Sequence, residues 1–493
     1  MYPPTVARIA PDTTAYLMTG SGERLSYAEL DERSNALAHL LRRHGVGPGA
    51  TLVLFMPNGP AWPVAVAAGM RSGLLVTPVN WHLRFEELGP ILVEAAPAAV
   101  LTTVELAPVL AAALAGPGAR PLVLTVDGET GGTRHLWTAI DGLPTTPIDD
   151  ELMGARVLFS GGTTGRPRAY RQPLPDVHPL DAPPRHPGLA AALGIGAGIR
   201  LLSPAPSYHA APFTFQLMTL AAGGTVVCME RFEPAAALRA LVDDDVTHSQ
   251  WVPTMLSRLL AVPVADRPPL APTHRVAVTS GAPCPPELKE AIHDWWGEIL
   301  HEYYGASEGY GHTYIDPAQS RRKRGSVGRP FGTARVRVVD EQGTDRPPGE
   351  VGRVCFEQQR PDGAHLKSMG DMGYLDEDGY LFLTGRQTFM IISGGVNVYP
   401  EEIEAVLAGH PAVADVAVFG VPHPDLGEQV MAVVQLMPGT PADPATRDRL
   451  VEHCRARLAG FKTPRVVEFV PELPRSPTGK LNKRSLRQLY LPA

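Results

Sequence analysis

The spacing of apolar and polar positions divides the chain into stretches of different texture. Ser26-Tyr-Ala-Glu29 has the spacing of a capping box, in which a hydroxyl and a carboxylate satisfy the first free N–H groups of a helix. The segment it opens sets Leu30, Leu37, Leu40 and Leu41 on one face before Gly45, which predicts a helix over 27–44. Thr51 to Met56 then reads as a buried strand, Ala61 to Arg71 as a helix and Leu74 to Val79 as a strand. This β-α-β order implies a parallel sheet with right-handed crossovers. Strands are expected again at Leu201 to Pro204, Gly224 to Met229 and Arg275 to Ser280, each followed by a helical stretch. Two α/β subdomains should therefore precede residue 320.

From about residue 325 the pattern shortens to alternating strands at Ala334 to Val339, Gly352 to Phe356 and Leu381 to Thr384, with glycine and proline turns between them. This reads as a small β-rich subdomain. A boundary is expected after residue 386. Beyond it, Pro400-Glu-Glu-Ile-Glu404 begins a helix with an early proline and acids in its first turn. Val413 to Phe419 and Val430 to Leu436 read as strands and Thr446 to Leu458 as a helix. The expected architecture is α/β: a large N-terminal domain over 1–386 and a small α+β C-terminal domain over 387–493.

Composition narrows the function classes. A chain of 493 residues exceeds one ordinary core. Its net charge of −7 gives no electrostatic reason to expect nucleic acid or an anionic membrane. Cys228, Cys284, Cys355 and Cys454 lack metal-ligand spacing, which suits buried thiols in a reducing compartment. The N-terminus has no apolar signal region, and the apolar stretch around 98–115 is interrupted by Glu105 and Pro108. A cytoplasmic protein with no membrane span is expected; a homodimer is compatible with the sequence.

Five short segments could carry chemistry. Ser160-Gly-Gly-Thr-Thr-Gly-Arg-Pro-Arg168 combines glycines at 161, 162 and 165 with the hydroxyls of Thr163 and Thr164 and the guanidinium groups of Arg166 and Arg168. Such a run can turn successive N–H groups and planar cations toward phosphate oxygens. It follows Ala155 to Phe159, which reads as one short buried strand, and it lacks the Gly-Lys-Ser/Thr of a Walker loop. Tyr304-Gly-Ala-Ser-Glu308 could stack a base and hold a metal, and Ser368-Met-Gly-Asp371 could accept from ribose hydroxyls. Thr384-Gly-Arg386, with Ser393-Gly-Gly395 shortly after it, could bridge ribose and phosphate and admit something thin. Pro474-Arg-Ser-Pro-Thr-Gly-Lys480 presents a lysine near the C-terminus. Taken singly, each of these four also reads as a solvated turn or a basic tail.

In this order the five segments resemble one family, the acyl- and aryl-CoA synthetases and related adenylate-forming enzymes. The resemblance runs from about Leu25 to Arg487 and extends to connecting text similar to the fatty-acid:CoA ligase branch, such as Ser203-Pro-Ala-Pro-Ser-Tyr-His-Ala-Ala-Pro212. It implies adenine against Tyr304 and the Gly281-Ala282-Pro283 turn, with ribose on Asp371 and Arg386. The loop of Ser160, Gly161, Gly162, Thr163, Thr164, Gly165 and Arg168 would cover the outer phosphates, with Gly305 and Ser307 beside the nucleotide. Glu308 and Thr163 would hold Mg²⁺, and Lys480 would be the catalytic cation. His209, by itself a structural histidine as readily as a catalytic one, would stand at the carboxylate pocket with Phe213 among its walls. Gly394 and Gly395 would line the path of the CoA arm. ATP, Mg²⁺, CoA and a small carboxylic acid are thus the implied cofactors and substrates.

The chain departs from that pattern in places. Gly161 replaces the usual serine and Arg168 the usual lysine, and Thr388 stands where the hinge residue is commonly aspartate or lysine. The stretch between Phe356 and Gly370 is shorter than in relatives and has no tryptophan. This keeps open a different acceptor, such as a carrier-protein thiol or an amine, or the activation of nitrite for diazotisation. A silent nucleotide-binding scaffold is a third reading, opposed by the joint presence of Glu308, Asp371, Arg386 and Lys480.

Overall fold

The structure is a computed structural model that describes residues 2–83, 85–115, 120–160, 168–171, 173–282, 284–305, 309–360, 363–386, 391–393, 396–423, 426–458, 460–475 and 481–491. The chain forms two compact units, one of residues 1–284 and 288–301 and the other of 285–287 and 302–493. Among the described residues no helix is long and apolar enough to cross a membrane. The four cysteines are buried.

The first unit contains the two expected α/β layers. One sheet runs, in spatial order, Arg134–His135, Leu122–Thr125, Pro97–Thr102, Thr51–Leu54, Leu75–Pro78 and Ala155–Arg156, with every neighbouring pair parallel. Helix Ala61–Arg71, which makes the first crossover, is buried all round, as a helix covered on every side should be. Helix Tyr27–Arg43 begins with both bonds of the expected capping box, Ser26 Oγ accepting from Glu29 N and Glu29 from Ser26 N. In the second sheet the parallel strands Val276–Thr279, His248–Trp251, Arg200–Ser203, Thr225–Cys228 and Thr14–Met18 lie side by side. One hydrophobic cluster joins the layers, from Leu52, Val76 and Leu101 through Trp62 and Val66 to Phe213, Leu220 and Val226.

A buried polar cluster sits in the same unit. Arg71, 1% exposed, lies 2.8 Å from Asp31 Oδ1 and 3.0 Å from Glu151 Oε1. It also donates to Ser34 Oγ at 3.1 Å, and Tyr2 donates its hydroxyl proton to Glu151. The charges are paired and hydrogen-bonded, the condition under which a protein interior tolerates them.

The second unit holds the β-rich and α+β parts. A four-stranded antiparallel meander runs Val336–Val339, Gly352–Arg360, Gly363–Leu375 and Leu381–Arg386. The short segment after Phe356 is part of a continuous hairpin here, with Arg360 paired to Gly363. A five-stranded sheet follows, of Val396–Val398, Ile391–Ser393, Gly427–Leu436, Val413–His423 and Val466–Val470. Helices Pro400–Ala408 and Pro444–Arg455 cover one of its faces through Ile403, Leu407, Leu450 and Cys454. Helix Lys483–Leu489 adds Leu486 to the cluster of Phe419, Met431 and Val433.

Candidate active site

In the first unit the structure alters the setting of the glycine- and hydroxyl-rich loop. Ala155–Arg156 pairs with Leu75 and Val76 in the parallel sheet, but Leu158–Ser160 turns away to pair antiparallel with Arg168–Tyr170. The run expected as one strand thus changes partner at Val157. Gly161, Gly162, Thr163, Thr164 and Gly165 lie outside the described residues, yet Ser160 and Arg168 face each other in register.

Arg156, at that switch of partner, donates from Nη1 to Ala210 O at 3.2 Å and to Thr214 Oγ1 at 2.6 Å. Its guanidinium carbon lies 5.4 Å from the centre of the Phe213 ring. These contacts fasten the first turn of helix Ala210–Ala221, whose N-cap is His209 with extended backbone angles. The preceding turn is fixed too. Asn58 accepts from Ser207 N at 2.7 Å and donates to Met229 O at 2.8 Å, and Gln216 donates to Ser203 and Ser207 hydroxyls at 2.9 Å each. Sequence reasoning missed Asn58, Arg156 and Gln216, because nothing local marks a polar side chain that serves a turn far along the chain. Phe213, expected as a pocket wall, is 1% exposed and packs edge-on against Trp62 at 6.2 Å. Gly281 has a φ of +84° after strand Val276–Thr279, a backbone state that suits glycine; Ala282 follows it, and Pro283 lies outside the described residues.

The second unit brings three expected residues together. Tyr304, at the end of strand Leu300–Gly305, donates its hydroxyl proton to Asp371 Oδ2 at 2.6 Å, across 67 positions of sequence. Its ring stacks on Phe356 at 6.1 Å with an interplanar angle of 27°. Asp371 is 7% exposed and lies directly opposite Arg386 in the antiparallel ladder. An irregular stretch of the same strand precedes it, with φ of +82° at Gly370 and the Gly370 N–H donating to Ser368 Oγ at 3.0 Å. Gly305 is opposite His312, and a Cβ at 305 would stand 2.9 Å from Gly311 O. Burial pushes the neighbouring His312 imidazole below its ordinary value. A planar ring, a nearly buried carboxylate and a backbone pressed close enough to exclude a side chain form a set suited to a nucleoside. Ala306, Ser307, Glu308, Gly394, Gly395 and Lys480 lie outside the described residues, as does the hinge position Thr388.

Residues 4–360 match the AMP-binding enzyme family and residues 402–480 its C-terminal domain. The chain belongs to the AMP-binding enzymes. Feruloyl-CoA synthase of Amycolatopsis sp is 33% identical over 514 residues, covering 99% of this chain and 98% of that protein. The long-chain-fatty-acid–CoA ligase FadD13 of Mycobacterium tuberculosis is 29% identical, over 98% of this chain and 97% of the relative. Among solved structures, ATP-bound MatB from Rhodopseudomonas palustris matches with a TM-score of 0.83 and 28% identity, covering 99% of both chains. The large N-terminal and smaller C-terminal domains of an AMP-binding enzyme agree with the expected organisation, and an adenine nucleotide is its ligand.

Proposed function

We propose that this AMP-binding enzyme is an ATP- and Mg²⁺-dependent carboxylic acid:CoA ligase that works through an acyl-adenylate. The observation that carries the reading is the triad of Tyr304, Asp371 and Arg386, with a 2.6 Å bond between the first two and the third in register opposite. The ring of Tyr304 and the Gly281-Ala282-Pro283 turn would hold adenine, and Asp371 would accept from the ribose hydroxyls, with Arg386 beside it. The loop of 160–168 would enclose the outer phosphates. Glu308 and Thr163 would hold a magnesium ion, which otherwise contacts phosphate and water. When bound, that ion would offset charge on the departing pyrophosphate.

In the first half-reaction a carboxylate oxygen attacks the α-phosphorus and the bond to pyrophosphate breaks. An anion approaching a polyanion is the barrier, and Lys480 is assigned the compact cation that offsets it. His209, fastened at its helix start, would orient the incoming acid. In the second half-reaction the CoA sulfur attacks the acyl carbonyl, the thiol proton is lost and AMP leaves. Gly394 and Gly395 would admit the narrow pantetheine arm, with residues 387–493 acting as a mobile domain that presents them in place of Lys480. The two relatives described above are named for joining a carboxylic acid to CoA, which supports CoA over a carrier-protein thiol or an amine as acceptor and a carboxylic acid over nitrite as the activated group.

ATP–pyrophosphate exchange over acetate, octanoate, palmitate, benzoate and ferulate, with product analysis with and without CoA, tests the reading. Exchange with at least one acid and thioester on adding CoA are expected. No exchange with any acid removes the adenylation claim, and exchange without thioester removes CoA as acceptor.

A further inference from the structure

The C-terminal part of the second unit holds a part-buried pair of opposite charges that the scheme above leaves unused. Glu404 on helix Pro400–Ala408 meets Lys483, the first residue of helix Lys483–Leu489, with Nζ 2.7 Å from Oε1 and 2.8 Å from Oε2. The two side chains are 17% and 11% exposed. The backbone N–H of Val418 donates to Glu404 at 2.6 Å, and Glu401 stands 3.7 Å from the same ammonium. Burial pushes the Glu404 carboxyl up to about 7, against the opposing pull of Lys483 and the Val418 N–H. A cation at the first position of a helix also opposes the helix dipole. Replacing a buried pair by packed apolar groups is often neutral or stabilising, so stability alone does not account for its presence.

Its position in the chain does. Lys483 follows Lys480 by three residues, and Pro400 follows Gly395 by five. Arg475 and Leu481 form an antiparallel bridge, and Asn482 N donates to Pro474 O at 2.9 Å. The chain therefore enters and leaves residues 476–480 at adjacent points. Arg475 pairs with Asp415, and Arg487 reaches Glu428 at 2.7 Å and Gly420 O at 2.9 Å, which ties both flanks to strands of the five-stranded sheet. Lys483 ties the same stretch to the helix that follows Gly394 and Gly395.

We propose that the Glu404–Lys483 pair is a positioning device for the adenylation step, fixing where the segment bearing Lys480 leaves the C-terminal module. The proposal rests on the assignment of Lys480 to that step. The double variant Glu404→Leu/Lys483→Met removes both charges and keeps an apolar contact. In the full-length protein, with the fastest acid of the panel, pyrophosphate exchange falls on the order of 10²-fold, the scale of an ångström misplacement. Thioester formation from supplied acyl-AMP and CoA is unchanged when both half-reactions are assayed below the melting temperature, which falls because the Val418 N–H loses its acceptor. Glu404→Gln, which keeps the shape and the bond from Val418, is read the same way, with a smaller loss. Parental exchange in both variants, or equal loss of both half-reactions, overturns the proposal. Lys480→Ala is measured alongside: exchange retained there removes the Lys480 assignment itself, whereas exchange lost there and kept in the double variant removes only the positioning role.

Discussion

Replacing Tyr304 by phenylalanine deletes one oxygen and leaves the ring, which separates holding Asp371 from stacking on adenine. The bond to Asp371 Oδ2 measures 2.6 Å, within the range of an O–H donor to a carboxylate. Hydrogen bonds to charged groups contribute about 1.5–3 kcal/mol, and each 1.4 kcal/mol is about tenfold in affinity. With Asp371 only 7% exposed, bulk water replaces little of that bond. If Tyr304 aims the carboxylate at the ribose, KM for ATP rises to the extent that Asp371 is misplaced, by at most about 10- to 100-fold, while KM for the acid is unchanged. The ring stays stacked on Phe356, so a purely aromatic role would leave both constants unmoved. Initial rates of pyrophosphate exchange against ATP and against acid, for Tyr304→Phe, Asp371→Asn and the double variant, give the coupling between the two side chains. An unchanged KM for ATP in Tyr304→Phe, alongside a raised one in Asp371→Asn, refutes the reasoning.

Two further outcomes test the frame that holds the site. Arg71→Met leaves Glu151, whose side chain is 4% exposed, without its guanidinium partner, and should cost the first unit about 3–5 kcal/mol; an unmoved urea midpoint for that unit contradicts this. Burial lowers the His274 pKa to about 4 from 6.5, with Nε2 2.7 Å from the Ser249 hydroxyl. A depressed folded pKa contributes stability above pH 6.5 that is lost as pH falls from 6.5 toward 4, on the order of 3 kcal/mol in all. Thermal unfolding across that window should fall more steeply in the parent than in His274→Gln, and parallel curves would contradict the assignment.

The helices at 27–43 and 61–71 and the strands at Thr51–Leu54, Leu75–Pro78, Arg200–Ser203, Thr225–Cys228 and Val276–Thr279 were legible because their signals are local: a capping box, a 3.6-residue period, apolar runs closed by glycine. Pairing across distance was not. Pro97–Thr102 and Leu122–Thr125 are central strands of the first sheet, yet alanine and proline around them blur any period. The run 155–159 looked like one strand because its apolar content says nothing of which neighbour it pairs with, and the chain changes partner inside it. The hairpin closing at Arg360 and Gly363 extends beyond the strand expected at Gly352 to Phe356 for the same reason. At the site, the residue types at 304, 371 and 386 were readable from their motifs. What joins them is a sheet register and a hydroxyl bond across 67 positions, and neither is written in local spacing.

The central claim, attack of a carboxylate on the α-phosphate, is tested most directly by isotope transfer. The acid is labelled with ¹⁸O in its carboxylate and turned over with ATP, Mg²⁺ and CoA, and the products are weighed by mass spectrometry. When the CoA sulfur displaces AMP, the oxygen that bridged acyl and phosphoryl groups leaves with the nucleotide. The expected result is one labelled oxygen in each AMP and none in pyrophosphate. Label in pyrophosphate or inorganic phosphate, or unlabelled AMP alongside thioester, would contradict an acyl-adenylate route.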